Sequence, residues 1–322
     1  MNIESITTLV HTDLLAVNDL ILSTIQTPGG LIDQLASHLM QSGGKRLRPL
    51  IVLLSAHACA YSGRDHIKLA AMMELFHTAT LLHDDVVDES ILRRGKETAH
   101  EIWGSKASIL VGDYLLTQYM RYMHEVGCQP IIESLTDIAV QITQGEIAQL
   151  MNRHNAALSL EAYFDVIRSK TSLLFAGSAH IGALIASVDE YSAQCLYTYG
   201  LHLGNAFQLI DDVMDYDSHA SIIGKNTGDD LADGKVTLPL MYALQHGTPA
   251  QKAIIQETLQ QGRRENFPQI LSVIHDTKAI EYTKDMAHRE VQNAIEQLQG
   301  IPDSDYKQAL INVAFYALLR TH

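Results

Sequence analysis

Six aspartates in two matched groups are the residues of this chain best suited to chemistry. One group lies in Leu81-Leu82-His83-Asp84-Asp85-Val86-Val87-Asp88 and the other in Gln208-Leu209-Ile210-Asp211-Asp212-Val213-Met214-Asp215, both of the form DDxxD. On a helix turning about 100° per residue, positions i, i+1 and i+4 share one side, so each group aims three carboxylates the same way. A single DDxxD is as often a solvated acidic face. Here Leu81, Leu82, Val86 and Val87 surround the first group, and Leu209, Ile210, Val213 and Met214 the second. That context predicts two largely buried helices, on which neighbouring carboxylates repel and lose hydration unless a cation compensates them. Hard oxygen donors with no cysteine nearby suit Mg²⁺, which keeps some waters and takes phosphate oxygens. Asp84, Asp85, Asp88, Asp211, Asp212 and Asp215 are therefore read as metal ligands and as the catalytic residues.

Basic residues stand close to these carboxylates in the sequence. Ser42-Gly43-Gly44-Lys45-Arg46-Leu47-Arg48-Pro49 precedes an apolar helix, and Arg93-Arg94-Gly95 follows the first aspartate group by one short turn. A glycine-rich basic loop at a helix start offers N–H groups and cationic side chains to a phosphate. No GxxxxGK[ST] pattern is present, so this is not a Walker A loop. Lys45 or Arg94 alone reads as a surface charge, but in an acidic chain basic pairs beside metal-binding carboxylates point to a diphosphate. His77, Asp84 and Asp88 fall on one helical stripe, as do Gly204, Gln208, Asp211 and Asp215.

The elements that carry these residues are expected to be helices. Apolar residues recur at three- and four-residue spacing, as in Leu69, Met72, Met73 and Phe76, with no sustained alternation. Breaks are predicted at Pro28 to Gly30, Ser42 to Gly44, Ser62 to Gly63, Arg94 to Gly95, Gly127 to Pro130, His219 to Asp233 and Gly300 to Pro302. None is long enough to be an interdomain linker, so the expectation is an all-α, single-domain chain of ten or more helices spanning residues 1–322. Hydrophobic residues make up 47% of the 322, against 19% charged, which suits a folded protein. A net charge of −14 disfavours nucleic acid and anionic lipid as broad partners. Cys59, Cys128 and Cys195 form no CxxC pair, and the N-terminus lacks a basic leader before an apolar run, so a cytoplasmic setting is expected. The uncharged stretch Thr171 to Val188 reaches membrane-span length, but its hydroxyls, glycines and His180 favour a buried core helix.

Taken together, the motifs resemble the trans-prenyltransferase family, and most closely its bacterial octaprenyl diphosphate synthases. The resemblance rests on GGKRLRP (Gly43 to Pro49), ELFHTATLLHDDVVDESILRRG (Glu74 to Gly95), VGDYLL (Val111 to Leu116), SKT (Ser169 to Thr171), GNAFQLIDDVMDY (Gly204 to Tyr216) and GKNTGDDLADGKVTLPL (Gly224 to Leu240). It implies an isoprenoid-synthase-type bundle around a central cavity, two or three Mg²⁺ ions, and repeated addition of isopentenyl diphosphate to an allylic diphosphate such as farnesyl diphosphate. Carried over residue by residue, the isopentenyl diphosphate site falls on Lys45, Arg48, His77 and Arg94. The allylic diphosphate site falls on Arg93, Lys170, Thr171, Gln208 and Lys225, with Lys235 nearby. One departure is Val236, where many relatives have proline, with an expected effect on loop stiffness more than on chemistry. The resemblance also implies a homodimer, and a product passed to a membrane enzyme for a quinone side chain, with transient membrane association at release.

Product length depends on residues before the first aspartate group, the direction in which family products extend. Ala79 and Thr80 lie about one turn before Asp84 and Phe76 about two turns before it. The small pair removes the aromatic block that resembles the short-chain enzymes' stop, so a long product is expected; Phe76 and Met123 are candidates for the tunnel floor. Other readings are a shorter-chain synthase, an HD-type phosphohydrolase suggested by His83-Asp84, and an inactive partner subunit. The hydrolase would leave Asp211, Asp212 and Asp215 without a role, and the inactive subunit should have lost carboxylates or basic anchors that are intact here.

Overall fold

The computed structural model describes residues 3–26, 30–41, 46–93, 95–151, 153–216, 228–261 and 264–319. Helices dominate, in the order α1 (Ile3–Thr8), α2 (His11–Ile25), α3 (Leu31–Gln41), α4 (Leu47–Ala58), α5 (Asp65–Val87), α6 (Ala99–Trp103), α7 (Ser105–Val126), α8 (Gln129–Met151) and α9 (Leu160–Ile167). After a π-helical turn, Arg168–Ser172, come α10 (Leu173–Ile185), α11 (Glu190–Asp215), α12 (Asp229–Ala232), α13 (Leu238–His246), α14 (Pro249–Gln261), α15 (Phe267–Asp276), α16 (Ala279–Gln297) and α17 (Asp305–Leu318). The three-and-four periodicity is thus realised as helix almost throughout. The exception among the described residues is a minimal antiparallel pair, β1 (Leu92–Arg93) with β2 (Lys96–Glu97), closed through Gly95 at φ +75°.

Helix ends follow local chemistry. Ser159 Oγ accepts the Ala162 N–H at 3.1 Å and so caps α9. Gly127 stops α7 in the left-handed conformation at φ +63°, its N–H returning to the Met123 carbonyl. Pro239 sits in the first turn of α13, where no N–H is needed. The uncharged stretch contains α10, with Leu173 to Ala176 and Ser178 to Ile181 buried except at His180. No described helix is long and apolar enough to cross a membrane.

The chain divides into two units, Met1–Asp137 with Leu174–Gly200 and Gln297–Val313, and Ile138–Leu173 with Leu201–Glu296 and Ala314–His322. In the first, α5 packs on α2, α4 and α7. Val17, Ile21, Ile25, Leu50 to Leu54, Leu69 and Met72 fill its interior. Gly112 lets α7 approach α5, because a Cβ there would overlap the His83 ring. His83 Nε2 meets the Ile109 carbonyl at 3.1 Å, and Ser108 Oγ donates to the Leu82 carbonyl at 3.0 Å. In the second unit one core group gathers Tyr216, Leu231, Val236, Leu240, Ile255, Leu259 and Ile270. Another gathers Tyr163, Ile167, Leu209, Ile210 and Leu238. Val236 is thus a buried core residue.

Candidate active site

In the first unit, α5 delivers Asp84 and Asp85 in its last turn, and Asp88 caps it, its N–H on the Asp84 carbonyl at 2.8 Å. Asp85 is fully buried, while Asp84 and Asp88 are half-buried. Val87, expected inside, is 57% exposed, because α5 ends there and no further turn covers it. Arg93 reaches back from β1 to Asp85 Oδ1 through Nε at 2.8 Å and an NH2 nitrogen at 2.7 Å. The other oxygen, Asp85 Oδ2, is buried with no hydrogen-bond partner. A buried carboxylate oxygen in that condition is costly unless a cation or donor meets it, so the group fits a hard divalent ion.

The anion-binding residues assigned to this unit are only partly placed. Arg48, in the first turn of α4, lays its guanidinium over the Phe175 ring at 4.6 Å. Arg46, before it, holds a left-handed backbone at φ +46° at the start of the helix. His77 is half-buried on α5. Lys45 and Arg94 lie outside the described residues. Phe76 and Ala79 are buried, Thr80 and Met123 half-buried, and the Phe76 ring meets Tyr119 at 4.8 Å between centroids.

In the second unit the end of α11 presents Asp211, Asp212 and Asp215. Asp212 is buried and held at both oxygens: Gln208 Nε2 donates to Oδ1 at 2.8 Å and the Tyr163 hydroxyl to Oδ2 at 2.6 Å. Thr171 donates to Gln208 Oε1 at 2.7 Å, so a relay runs from the π-helical turn to the aspartate. Burial, with the charge of Asp230, pushes the Asp212 carboxyl up to about 7 against the pull of the Tyr163 and Gln208 bonds. Burial also raises Asp230, which Lys235 pulls back down. Asp215 Oδ1 accepts the Gly228 N–H at 3.1 Å. Among the described residues carboxylates here outnumber nearby cations, an imbalance that Mg²⁺ would relieve.

The assigned cations in this unit are held by acids. Lys170 Nζ lies 3.2 Å from Glu146 and 3.1 Å from Gln149 Oε1, and Lys235 lies 3.0 Å from Asp233 and 3.8 Å from Asp230. Lys225 lies outside the described residues. The sequence reading passed over Tyr163, Glu146 and Asp230. Asp230 was within reach of it, in the Gly228-Asp229-Asp230 run, but Tyr163 is 49 residues from Asp212 and belongs to no pattern.

Residues 30–274 match the polyprenyl synthetase family. The chain belongs to that family. It is 41% identical over 321 residues to the octaprenyl diphosphate synthase of Escherichia coli K12, covering 99% of each chain. It is 40% identical to the octaprenyl diphosphate synthase of Haemophilus influenzae, over 100% of this chain and 98% of the other. The crystal structure of a Caulobacter crescentus polyprenyl synthase, complexed with calcium and isoprenyl diphosphate, superposes with a TM-score of 0.96 at 38% identity, covering 100% of this chain and 98% of that one. As a polyprenyl synthetase the chain is a prenyltransferase that lengthens prenyl chains, in a Mg²⁺-dependent family with the all-α isoprenoid synthase fold.

Proposed function

We propose that this chain is an octaprenyl diphosphate synthase, adding isopentenyl diphosphate units to an allylic primer such as farnesyl diphosphate. The observation that carries this reading is full-length similarity to octaprenyl diphosphate synthases with both DDxxD groups intact. Asp84, Asp85, Asp88, Asp211, Asp212 and Asp215 hold two or three Mg²⁺ ions. When bound, these ions stabilise the charge that develops on the departing diphosphate. Arg93, Lys170, Thr171, Gln208, Lys225 and Lys235 bind the allylic diphosphate, and Lys45, Arg48, His77 and Arg94 orient isopentenyl diphosphate. The allylic C–O bond breaks, the alkene of isopentenyl diphosphate bonds to the allylic carbon, and the released diphosphate takes the proton that leaves. Arg93, which pairs with Asp85, would contact a phosphate of the allylic diphosphate, and Asp85 would then be available to hold a metal ion.

Residues 1–322 act as one polyprenyl synthase domain, a reading supported by similarity to octaprenyl diphosphate synthases over 99% of the chain. A homodimer in the cytoplasm, releasing product at a membrane for a quinone side chain, completes the reading. The test supplies purified protein with Mg²⁺, farnesyl diphosphate and isopentenyl diphosphate, followed by chromatography of the dephosphorylated products. Octaprenol with one diphosphate released per addition is the expected result. Phosphate release without elongation would identify a hydrolase, inertness a partner subunit, and products of twenty carbons or fewer a short-chain synthase.

A further inference from the structure

Away from the aspartate groups, the first unit brings together three residues for which the prenyl-transfer reaction has no use. Asp13 on α2, His57 near the end of α4 and His66 at the start of α5 each offer one ligand atom, all within 4.8 Å of one another. Among the described residues this is the only group of three or more His, Cys, Asp or Glu side chains so placed. Both imidazoles converge on one oxygen: His57 Nε2 lies 2.7 Å and His66 Nε2 3.2 Å from Asp13 Oδ2.

We propose that Asp13, His57 and His66 form a binding site for a divalent transition-metal ion of the Zn²⁺ type, separate from the Mg²⁺ chemistry of the aspartate groups. Two imidazole nitrogens and one carboxylate oxygen suit Zn²⁺, whereas Mg²⁺ favours all-oxygen sets. Metal–ligand bonds of about 2.0 to 2.1 Å in a tetrahedron put ligand atoms roughly 3.3 Å apart. The observed contacts come within a few tenths of an ångström of the spacing for His66 and need a modest opening at His57. The rings are already oriented: His57 stacks on Tyr306 at 4.8 Å and 20°, and His66 meets Tyr61 edge-on at 5.6 Å. Three ligands leave a fourth position for water, and the Asp13 and His57 side chains, 23% and 22% exposed, give the ion a way in.

The His66 side chain is 5% exposed, so burial disfavours the charged imidazolium there. Burial holds His66 below its usual range despite Asp13, and Asp13 stays below the usual carboxylate range against its own burial because both rings hydrogen-bond to it. Both shifts favour the carboxylate of Asp13 and the neutral imidazole of His66, the forms that bind metal. An ion there would tie α2 to α4 and α5.

The test uses tag-free full-length protein, stripped with chelator and held in excess Mg²⁺ to occupy the oxygen sites. Zn²⁺ binding is measured by equilibrium dialysis, coordination by the visible absorption of added Co²⁺, and stability by thermal unfolding. The expected result is one tightly bound Zn²⁺ per chain, an intense tetrahedral Co²⁺ spectrum and a higher unfolding temperature with Zn²⁺. All three should be lost in His57→Gln and in Asp13→Asn, with prenyl transfer unchanged. His57→Gln keeps a donor for Asp13 at a partly exposed position and should stay folded, so it decides the matter if Asp13→Asn does not fold. No stoichiometric Zn²⁺ in the wild type, or the same Zn²⁺ and Co²⁺ behaviour in His57→Gln, would overturn the proposal.

Discussion

Asp85 and Arg93 pair a fully buried carboxylate with a partly covered guanidinium. Removing the cation strands the anion, so Arg93→Ala should lower stability by about 3 kcal/mol in chelator. Asp85→Asn in that background should recover part of the loss, because an amide carries no uncompensated charge. Urea unfolding of the two singles and the double closes the cycle, and an unchanged Arg93→Ala would mean a solvent-screened contact. Asp212 adds a dependence on pH. Its carboxyl is raised from 3.8 to about 7, so the folded chain binds the extra proton and the contribution to stability is full below about 4. That contribution is lost as pH rises through about 7. Thermal unfolding without divalent ions should show falling stability over this window, and Asp212→Asn should flatten it; a parallel curve would place the titration elsewhere. Turnover has the plainest test. Asp84→Ala and Asp211→Ala should each lose roughly a thousandfold or more in diphosphate release while remaining helical by circular dichroism.

Helix packing ranks two glycine substitutions. A Cβ on Gly204 of α11 would run into the Ser172 backbone at the end of the π-helical turn, whereas the atoms nearest one on Gly112 of α7 belong to the His83 ring. Backbone cannot step aside as a ring can. Gly204→Ala should therefore cost about 3 kcal/mol and Gly112→Ala about 1 kcal/mol in chemical denaturation, and a reversed order would contradict the packing. Gly204 was legible in the sequence only as part of a stripe with Gln208 and the aspartates. The π-helical turn, which sets Lys170 toward Glu146 and Thr171 toward Gln208, left no trace in apolar spacing because it adds one residue to a helix that otherwise runs on.

At the scale of the whole molecule the measurable output is product length. Ala79 is fully buried one turn before the first aspartate group, and Phe76 packs its ring near Tyr119. Ala79→Tyr should give much shorter products while condensation continues, since it adds bulk without touching a carboxylate. Met123→Ala should lengthen them if Met123 limits the chain. Chromatography of dephosphorylated products reads both, and an unchanged distribution in Ala79→Tyr would remove that residue from length control.

The sequence by itself determined the all-helical fold, the two carboxylate groups and the family, because helical periodicity and motif spacing are local and span only a few residues. The family resemblance assigns Lys170, Thr171, Gln208 and Arg93 to one diphosphate site. Tertiary structure alone decided their company: Tyr163 on Asp212, Arg93 on Asp85, and Asp13 with two histidines 44 and 53 residues away. Such contacts depend on which helix faces pack together, and that is set by the burial of many apolar side chains at once. No spacing between two residues encodes it.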